Sequence, residues 1–197
     1  LFTSSMAVYG DKKIKFVKEN SKLKPKINYG KNKFIAEEYI KFFCKYNIDY
    51  TILRLFSVYG PGQDLKNKSQ GMLSIYLSYT IDNKPIKVAG NLDRIRDFIY
   101  IEDVVNVIYK IIINKKSSKF RNQTFNLGAG KKITVLKLIN LLKKLFGKDH
   151  LKIKKVSRTY DDQEGVIANI DKLVLVMNNL QFTPIDKGIR FIKKFYE

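Results

Sequence analysis

Short apolar runs alternate along this chain with segments of helical periodicity, and this alternation restricts the possible folds more than any other feature. We predict strands at 1–5, 50–56, 86–89, 98–100, 124–126 and 151–156. We predict helices at 28–46, 72–81, 102–113 and 134–146, and helical segments after Asp171 and after Pro184. Strands that alternate with helices usually pair in parallel, because each helix returns the chain to the same edge of the sheet. The pattern predicts an α/β fold with a mainly parallel sheet covered on both faces.

The helix predicted at 28–46 is rich in apolar and aromatic side chains. We expect six of them to face inward, namely Phe34, Ile35, Tyr39, Ile40, Phe42 and Phe43. Cys44 is the only cysteine in the chain, so we predict a small core residue and no disulfide framework. His150 is the only histidine, and a zinc or iron site is therefore not predicted.

The chain is strongly basic, with 38 basic and 18 acidic residues and a formal net charge of +20. Lysine accounts for 32 of the basic residues, which are scattered over nearly every segment. Arginine is preferred where proteins read bases and phosphates, and no aromatic-interleaved or helix-turn-helix signature accompanies the lysines. We predict no nucleic-acid partner. A noncatalytic, basic, nucleic-acid-binding remnant is the alternative from a different functional class.

Length and hydropathy are typical of a globular protein. At 197 residues and 45% hydrophobic composition, the chain is long enough to bury a core. No apolar run reaches the roughly 18 to 20 residues of a membrane-spanning helix, and no segment is typical of a signal peptide. We predict no membrane partner and a cytoplasmic location.

Tyr29 and Lys33 stand four residues apart at the start of the helix predicted at 28–46. Residues at this spacing lie on one helix face, so the lysine ammonium can favour the phenolate form of the tyrosine. A free phenol has a pKa of about 10 and is protonated near neutrality, so acid–base work on a substrate hydroxyl requires such a cation. Ser4 and Ser5 arrive on a separate apolar strand and can hydrogen-bond the same substrate oxygen. A solvated helix face is the alternative for a single Tyr-Lys pair.

The Tyr-Lys pair belongs to a series of motifs along the chain. The series is TSSMAVYG at 3–10, YGKNK at 29–33, LRLFSVYGPGQ at 53–63, RDFIYIEDV at 96–104 and FNLGAG at 125–130. It resembles the extended short-chain dehydrogenase/reductase family, in particular its NAD-dependent nucleotide-sugar epimerases and dehydratases. The resemblance implies the C-terminal part of a doubly wound, Rossmann-like domain and a smaller α/β lobe that binds the substrate. Residues 1–60 match the former and 61–197 mainly the latter, with about 96–115 returning to the Rossmann-like domain.

The glycine-rich turn with which this family cradles the dinucleotide pyrophosphate has no counterpart in the chain. Leu1 opens inside a predicted strand, without an initiating methionine or a turn. We therefore predict that the chain is the C-terminal part of a longer polypeptide, and that this part alone is inactive.

The resemblance assigns catalytic and binding roles to individual residues. Tyr29 matches the general base and acid, Lys33 the lysine that holds the nicotinamide ribose, and Ser5 the catalytic serine or threonine. NAD contacts are implied for Ser4, Tyr29, Lys33 and Phe56, and nucleotide-sugar contacts for Ser57, Arg96 and Arg158.

For two of these residues, a purely structural role is the alternative. Ser5 can simply cap a turn, and Arg96 can form a surface ion pair with Asp97 or Glu102. We expect Arg54 to be a structural ion-pair partner. We expect Asp103 to cap and orient the helix that follows it.

The two residues after Ser5 discriminate between the chemistries of the family. Its dehydratases carry Asp-Glu there, because elimination of water needs an acid and a base, whereas this chain has Met6 and Ala7. The resemblance thus favours an NAD-dependent epimerase of the UDP-glucose 4-epimerase type, which oxidises carbon 4 of a UDP-hexose and returns the hydride to the opposite face. A 4,6-dehydratase or reductase is the alternative within the family. The helix from about Asn28 also resembles the one through which family members form homodimers, and the family suggests a role in polysaccharide precursor supply.

Overall fold

The structure of the chain is a computed structural model that describes residues 1–11, 16–67, 71–114, 117–157, 165–178 and 180–196. The strands are β1 (Phe2–Ser5), β2 (Phe16–Val17), β3 (Thr51–Leu55), β4 (Ser57–Tyr59), β5 (Ile86–Ala89), β6 (Ile95–Arg96), β7 (Phe98–Tyr100), β8 (Gln123–Leu127), β9 (Ile133–Thr134), β10 (Ile153–Val156) and β11 (Ile167–Ala168). The α-helices are α1 (Asn28–Phe43), α2 (Met72–Ile81), α3 (Ile101–Ile113), α4 (Val135–Leu145), α5 (Asp171–Val176) and α6 (Ile185–Tyr196). Short 3-10 helices cover Met6–Tyr9 and Cys44–Tyr46. None of the described helices combines the length and the apolarity that a membrane span requires.

A three-stranded parallel sheet in the order β1-β3-β8 forms the centre of the fold. Its register places Ser5 opposite Leu55 and Leu55 opposite Leu127. The connection from β1 to β3 contains α1, and the connection from β3 to β8 contains α3. The predicted α/β fold with a parallel sheet is confirmed. Because β8 pairs with β3, residues 123–127 also lie in the central sheet, beyond the segment 96–115 predicted to return to it.

Helices cover both faces of this sheet, as predicted. On one face, Leu53 of β3 packs in an apolar cluster with Val104 and Val107 of α3. On the other face, Arg54 of β3 contacts Glu37 of α1. Successive strand residues point to opposite faces, so these two neighbours in the sequence lie in opposite layers of the protein.

The remaining strands pair two by two. β4 pairs with β7, β5 with β10 and β2 with β11 in parallel, whereas β6 and β9 are antiparallel. β5 and β7 pack with α2, α4 and α6 around the largest apolar cluster, in which Leu77, Val88, Leu138 and Ile192 are buried. This cluster forms a second core beside the one between the central sheet and α3.

α1 turns a charged residue toward the sheet and its apolar residues outward. Its buried residues are Gly30 and Glu37. The exposed residues include Ile35, Tyr39, Phe42 and Phe43. The prediction of an inward apolar face is therefore wrong for these four residues, because Glu37 occupies the place facing Arg54. Phe34, Ile40 and Cys44 are only half-buried, so Cys44 is not the core residue predicted.

Candidate active site

β1 ends at Ser5, at the carboxyl edge of the central sheet. The Ser5 hydroxyl accepts a hydrogen bond from the backbone N–H of Ala7 at 3.2 Å and so caps the 3-10 helix Met6–Tyr9. This is the turn-capping contact considered as the alternative for Ser5. The contact uses an acceptor lone pair, so it does not occupy the O–H proton. Ligands of doubly wound folds bind at this edge of the sheet.

Gly30 brings α1 against the 3-10 helix that Ser5 caps. A Cβ added at Gly30 would lie 2.6 Å from the carbonyl oxygen of Ala7 and 3.2 Å from its Cβ. No side chain fits at that distance unless the two backbones separate, so glycine permits the close approach. Tyr29, the preceding residue, is thereby held beside the segment that begins at Ser5.

Lys33 lies between the tyrosine and β1. Its Nζ donates a hydrogen bond to the carbonyl oxygen of Thr3 at 2.8 Å and lies 5.8 Å from the centroid of the Tyr29 ring. The same nitrogen lies 5.0 Å from the centroid of the Phe2 ring. Tyr29 itself is 55% exposed, so a ligand can reach its ring. The structure thus gathers Tyr29 and Lys33 of α1 where the helix meets the strand that bears Ser5.

A buried ion pair joins α1 to the sheet one turn beyond Lys33. Arg54 Nη2 lies 2.7 Å from Glu37 Oε2, and Arg54 Nε donates to Glu37 Oε1 at 3.0 Å. The Ser4 hydroxyl donates a hydrogen bond to the same Oε1 at 2.5 Å. Glu37 is 0% exposed and Arg54 is 2% exposed, so each charge depends on these partners. The structural ion-pair role expected for Arg54 is confirmed.

The network continues from Arg54 to Tyr9 and Asn126. Arg54 Nη1 donates to the Tyr9 hydroxyl at 2.9 Å, and that hydroxyl donates to Asn126 Oδ1 at 2.6 Å. Burial raises the pKa of Tyr9 to about 12, although the charge and hydrogen bond of Arg54 act in the opposite direction. Tyr9 is therefore a neutral hydroxyl that links the 3-10 helix to β3 and β8.

Glu37 is the residue of this network that sequence reasoning missed. Arg54 stands in an apolar strand and therefore needs a buried partner, but the chain offers 18 acidic residues. The available signal was the spacing of four residues between Lys33 and Glu37, which places both on the same helix face. The apolar stripe of the helix obscured it, because that stripe predicted the opposite face as the buried one.

The structure places Ser4 and Phe56 in the core. The buried Ser4 hydroxyl is bound to Glu37. The buried Phe56 ring lies 6.4 Å from the Tyr9 ring, in an apolar cluster that includes Val8. These surroundings differ from the NAD contacts that the resemblance implies, since Ser4 holds α1 and Phe56 packs against the 3-10 helix Met6–Tyr9.

Ser57 and Arg96 lie on strands outside the central sheet. Ser57 is half-buried, and its backbone N–H donates to the carbonyl oxygen of Asp97 at 2.9 Å. Arg96 is buried, and its Nη1 donates to the carbonyl oxygen of Ile95 at 2.8 Å. The guanidinium therefore does not lie on the surface, where the alternative of an ion pair with Asp97 or Glu102 placed it. Arg158 lies outside the described residues.

The carboxylates of Asp97 and Asp103 bind the protein's own backbone. Asp97 accepts hydrogen bonds from the N–H groups of Ala129, Gly130 and Ala168 at 2.8 to 3.1 Å. Burial raises the pKa of Asp97 to about 6, although these N–H groups favour the ionised form. Asp103 accepts from the backbone N–H of Thr183 at 2.7 Å, so it fastens the segment before α6 rather than capping its own helix. Within the described ranges, His, Cys, Asp and Glu side chains form no group of three that could hold a metal ion.

Comparison with known proteins places this geometry in a family. The model of the NAD dependent epimerase/dehydratase family matches residues 1–128. A protein of Methanocaldococcus jannaschii, provisionally named a UDP-glucose 4-epimerase, is 34% identical over 146 residues, which are 74% of this chain and 46% of that protein. The dTDP-4-dehydro-6-deoxyglucose reductase of Escherichia coli is 29% identical over 188 residues, which are 95% of this chain and 57% of that protein. The chain thus spans about half the length of these curated relatives.

A solved structure agrees with the sequence matches. The UDP-N-acetylglucosamine 4-epimerase of Methanobrevibacter ruminantium, in complex with UDP-N-acetylmuramic acid, superposes with a TM-score of 0.89 at 26% identity. The match covers 99% of this chain and 61% of that structure. The residues that match the family model include β1, α1 and β3, on which Ser5, Tyr29, Lys33 and the buried ion pair lie. The chain belongs to the NAD dependent epimerase/dehydratase family.

Proposed function

We propose that this chain carries the acid–base residues of an NAD-dependent nucleotide-sugar epimerase that acts at carbon 4 of a UDP-hexose. The observation that carries the proposal is the position of Lys33, whose ammonium is bound to Thr3 and lies beside the Tyr29 ring. The names of the M. jannaschii and M. ruminantium relatives support the reaction class. The activity is proposed for the natural gene product that contains these residues.

Tyr29 exchanges the proton of the sugar hydroxyl in this reaction. As the phenolate it accepts the proton from the hydroxyl at carbon 4 while that carbon is oxidised, and as the phenol it returns the proton after reduction on the other face. Ser5 donates a hydrogen bond through its O–H group to the same sugar oxygen. Lys33 offsets the negative charge of the phenolate. The bound cofactor would supply the redox chemistry, as NAD⁺ for removal of the hydride from carbon 4 and as NADH for its return.

The residues of this chain fit the nicotinamide end of the cofactor. An ammonium has three N–H donors, and the contact with Thr3 orients that of Lys33 beside the exposed ring of Tyr29. Ribose hydroxyls are suitable acceptors for such donors. The 197-residue sequence has no glycine-rich turn of the kind that cradles a pyrophosphate, so we propose only the nicotinamide-ribose contacts for this chain.

Met6 and Ala7 favour an epimerase over a dehydratase. Elimination of water needs side chains that accept and donate protons next to the catalytic serine, and a thioether and a methyl group do neither. The N–H of Ala7 is bound to Ser5, and its side chain is buried against α1. A reductase is the second candidate, because the E. coli reductase matches 95% of this chain and a reduction needs only the hydride and one proton.

We also propose nucleotide-sugar contacts at Ser57, Arg96 and Arg158, and a substrate-binding lobe made mainly of residues 61–197. A planar guanidinium can bind two diphosphate oxygens at once, which supports Arg96 and Arg158 in this role. The separate apolar cluster around β5, α2, α4 and α6 supports a lobe distinct from the central sheet.

The exposed stripe of α1 supports a homodimer. The stripe consists of Ile35, Tyr39 and Phe43 of α1 and Tyr46 of the 3-10 helix that follows, which recur at helical spacing and are each about half exposed or more. The Phe43 and Tyr46 rings lie 6.1 Å apart, so they form one aromatic surface. Aromatic residues are enriched at the cores of protein interfaces. We propose that a second copy of the protein covers this stripe.

The experiment that tests the reaction compares Tyr29→Phe with Tyr109→Phe, which alters an exposed tyrosine of α3. The natural gene product is incubated with UDP-hexoses and NAD⁺, and the sugars are separated. We expect Tyr29→Phe to lower turnover by about 10² to 10⁴-fold, the range typical of general acid–base catalysis, and Tyr109→Phe to retain it. Equal turnover by Tyr29→Phe and the unaltered protein would falsify the assignment. A 4-keto-6-deoxy product would indicate a dehydratase. Reduction of a 4-keto nucleotide sugar in a parallel incubation with NADH, without any epimer from the UDP-hexoses, would indicate a reductase.

A further inference from the structure

One face of α1 meets β1 and the following 3-10 helix at regular intervals. The contacts are Gly30 with Ala7, Lys33 with Thr3 and Glu37 with Ser4. Helix residues at i, i+3 and i+7 lie along one face, so successive turns of α1 each contact this short segment. Lys33 belongs to the proposed reaction, and Gly30 is the chain neighbour of Tyr29. The third contact, between Glu37 and Ser4, fixes the chain neighbour of Ser5 against α1.

Ser4 and Ser5 have different surroundings because consecutive strand residues point in opposite directions. Ser4 is 2% exposed and points at Glu37, whereas Ser5 lies at the end of the strand and caps the 3-10 helix. The two residues share one peptide unit. Any movement of Ser4 relative to α1 therefore moves Ser5 relative to Tyr29.

The ion pair behind Ser4 specifies geometry more than it stabilises the fold. Apolar residues that fill the space of a buried ion pair are often as stable as the pair itself. The bidentate contact between Arg54 and Glu37, however, permits a narrow range of angles between α1 and β3. The Ser4 hydroxyl then ties β1 to the same carboxylate.

We propose that Ser4 and Glu37 are positioning residues that hold the Tyr29–Lys33 helix in register with the strand bearing Ser5. This inference rests on the proposed function. It replaces the cofactor contact that the resemblance implies for Ser4 with an indirect role, in which the hydroxyl acts through Glu37. A displacement of about 1 Å between catalytic groups can lower a rate by about 10²-fold, so a small loss of register has a measurable effect.

The test uses Ser4→Ala and Glu37→Gln, with Glu38→Gln as the matched control. Glu38 is the next residue of α1, is exposed and pairs with Lys41 at 2.8 Å. In the natural gene product we expect Ser4→Ala to lower kcat by about 10-fold while the KM for the nucleotide sugar and the Kd for NAD⁺ change less than about twofold. A direct ligand contact would instead raise KM or Kd at constant kcat, which overturns the proposal. Glu38→Gln is expected to match the unaltered protein.

Glu37→Gln and the double variant, which combines Ser4→Ala with Glu37→Gln, show whether the two residues act through one linkage or independently. If Ser4 acts through Glu37, the double variant loses no more kcat than the more impaired single variant, whereas independent roles give multiplied losses and contradict the proposal. Should Glu37→Gln fail to fold because Arg54 is left without its partner charge, Ser4→Ala alone still decides through the split between kcat and KM.

A second readout does not depend on turnover. With 13Cζ-labelled tyrosine, the Tyr29 resonance is identified by its loss in Tyr29→Phe. We expect that resonance to shift in Ser4→Ala and to stay in place in Glu38→Gln. If the unaltered protein converts no UDP-hexose, the proposed function is wrong. The resonance still reports whether Ser4 holds Tyr29 in its position relative to β1. An unchanged resonance in Ser4→Ala would show that Ser4 does not position Tyr29.

Discussion

At the scale of single residues, Glu37 and Asp97, the two buried carboxylates of the part of the chain that the structure describes, have different kinds of partner. Glu37 faces the guanidinium of Arg54, so its charge is compensated by an opposite charge. The described hydrogen bonds of Asp97 come from the backbone N–H groups of Ala129, Gly130 and Ala168. Dipoles compensate a buried charge less completely than a cation does, and burial is therefore the largest cause of the raised pKa of Asp97.

From this difference we predict that the free energy of unfolding depends on pH through the titration of Asp97. Its pKa rises from 3.8 to about 6 on folding, so the folded protein favours the protonated carboxyl. Its contribution to the free energy of unfolding is complete below about pH 4 and is lost as pH rises through about 6, a change of roughly 3 kcal/mol at 1.36 kcal/mol per pKa unit. Urea unfolding of the unaltered protein and Asp97→Asn across this range measures it. We expect the stability advantage of aspartate over asparagine to shrink as pH rises, and parallel curves would contradict the prediction.

The buried hydroxyl of Tyr59 is the basis for predicting a stabilising substitution. Tyr59 is 1% exposed, and among the described residues its hydroxyl has no hydrogen-bond partner. An unsatisfied buried hydroxyl costs about 1 to 3 kcal/mol, so we expect Tyr59→Phe to raise the free energy of unfolding by about 1 kcal/mol. Tyr9→Phe is the control, because the Tyr9 hydroxyl bonds Arg54 and Asn126, and its removal is expected to destabilise. Urea denaturation of both variants checks the opposite signs, and a destabilised Tyr59→Phe would mean that its hydroxyl is satisfied.

At the scale of elements, the contact between α1 and the 3-10 helix Met6–Tyr9 depends on Gly30. Alanine is favoured over glycine in a helix by about 0.8 to 1.0 kcal/mol, so propensity alone predicts that Gly30→Ala stabilises. The added Cβ would lie 2.6 Å from a backbone oxygen, which cannot rotate away, and overpacking costs about 1 to 3 kcal/mol. We expect a net loss of about 1 kcal/mol in thermal unfolding. Asn32→Ala, at an exposed position in the same turn, is expected to stabilise slightly; a stabilised Gly30→Ala would refute the close approach.

The same helix shows which part of the structure the sequence could predict. Its position was predictable from periodicity, because Asn28–Phe43 lies within the helix predicted at 28–46, whose last three residues form a 3-10 helix. Its orientation was not, since periodicity identifies an apolar face without identifying what covers it. The inward place of Glu37 depends on Arg54, which lies 17 residues away on a strand, and no local pattern encodes that pair. The motif Tyr29-x-x-x-Lys33 was predictable for the opposite reason, because its geometry is set within one helical turn.

At the scale of the whole molecule, strand–helix alternation predicted the parallel sheet, whereas the grouping of elements into cores was less predictable. β8 joins the central sheet because it pairs with β3, although the predicted boundaries leave it in the substrate lobe. Pairing between distant strands is fixed by tertiary packing, which the sequence of either strand alone does not specify. Within the candidate site, the shared helix face of Tyr29 and Lys33 was predictable from their spacing, whereas the buried contacts among Ser4, Glu37 and Arg54 were not.

The last prediction concerns the assembly of two molecules. A glutamate within the exposed α1 stripe would bury a charge if a second copy covered it, which costs several kcal/mol and breaks the dimer. We expect Phe43→Glu to convert a dimeric gene product into a monomer in sedimentation equilibrium at micromolar concentration, without loss of the folded state, because the side chain is 48% exposed within one chain. Tyr109→Glu is the control, since Tyr109 of α3 is 61% exposed and lies on a different helix. A monomeric unaltered protein, or dissociation by Tyr109→Glu alone, would exclude α1 as the interface.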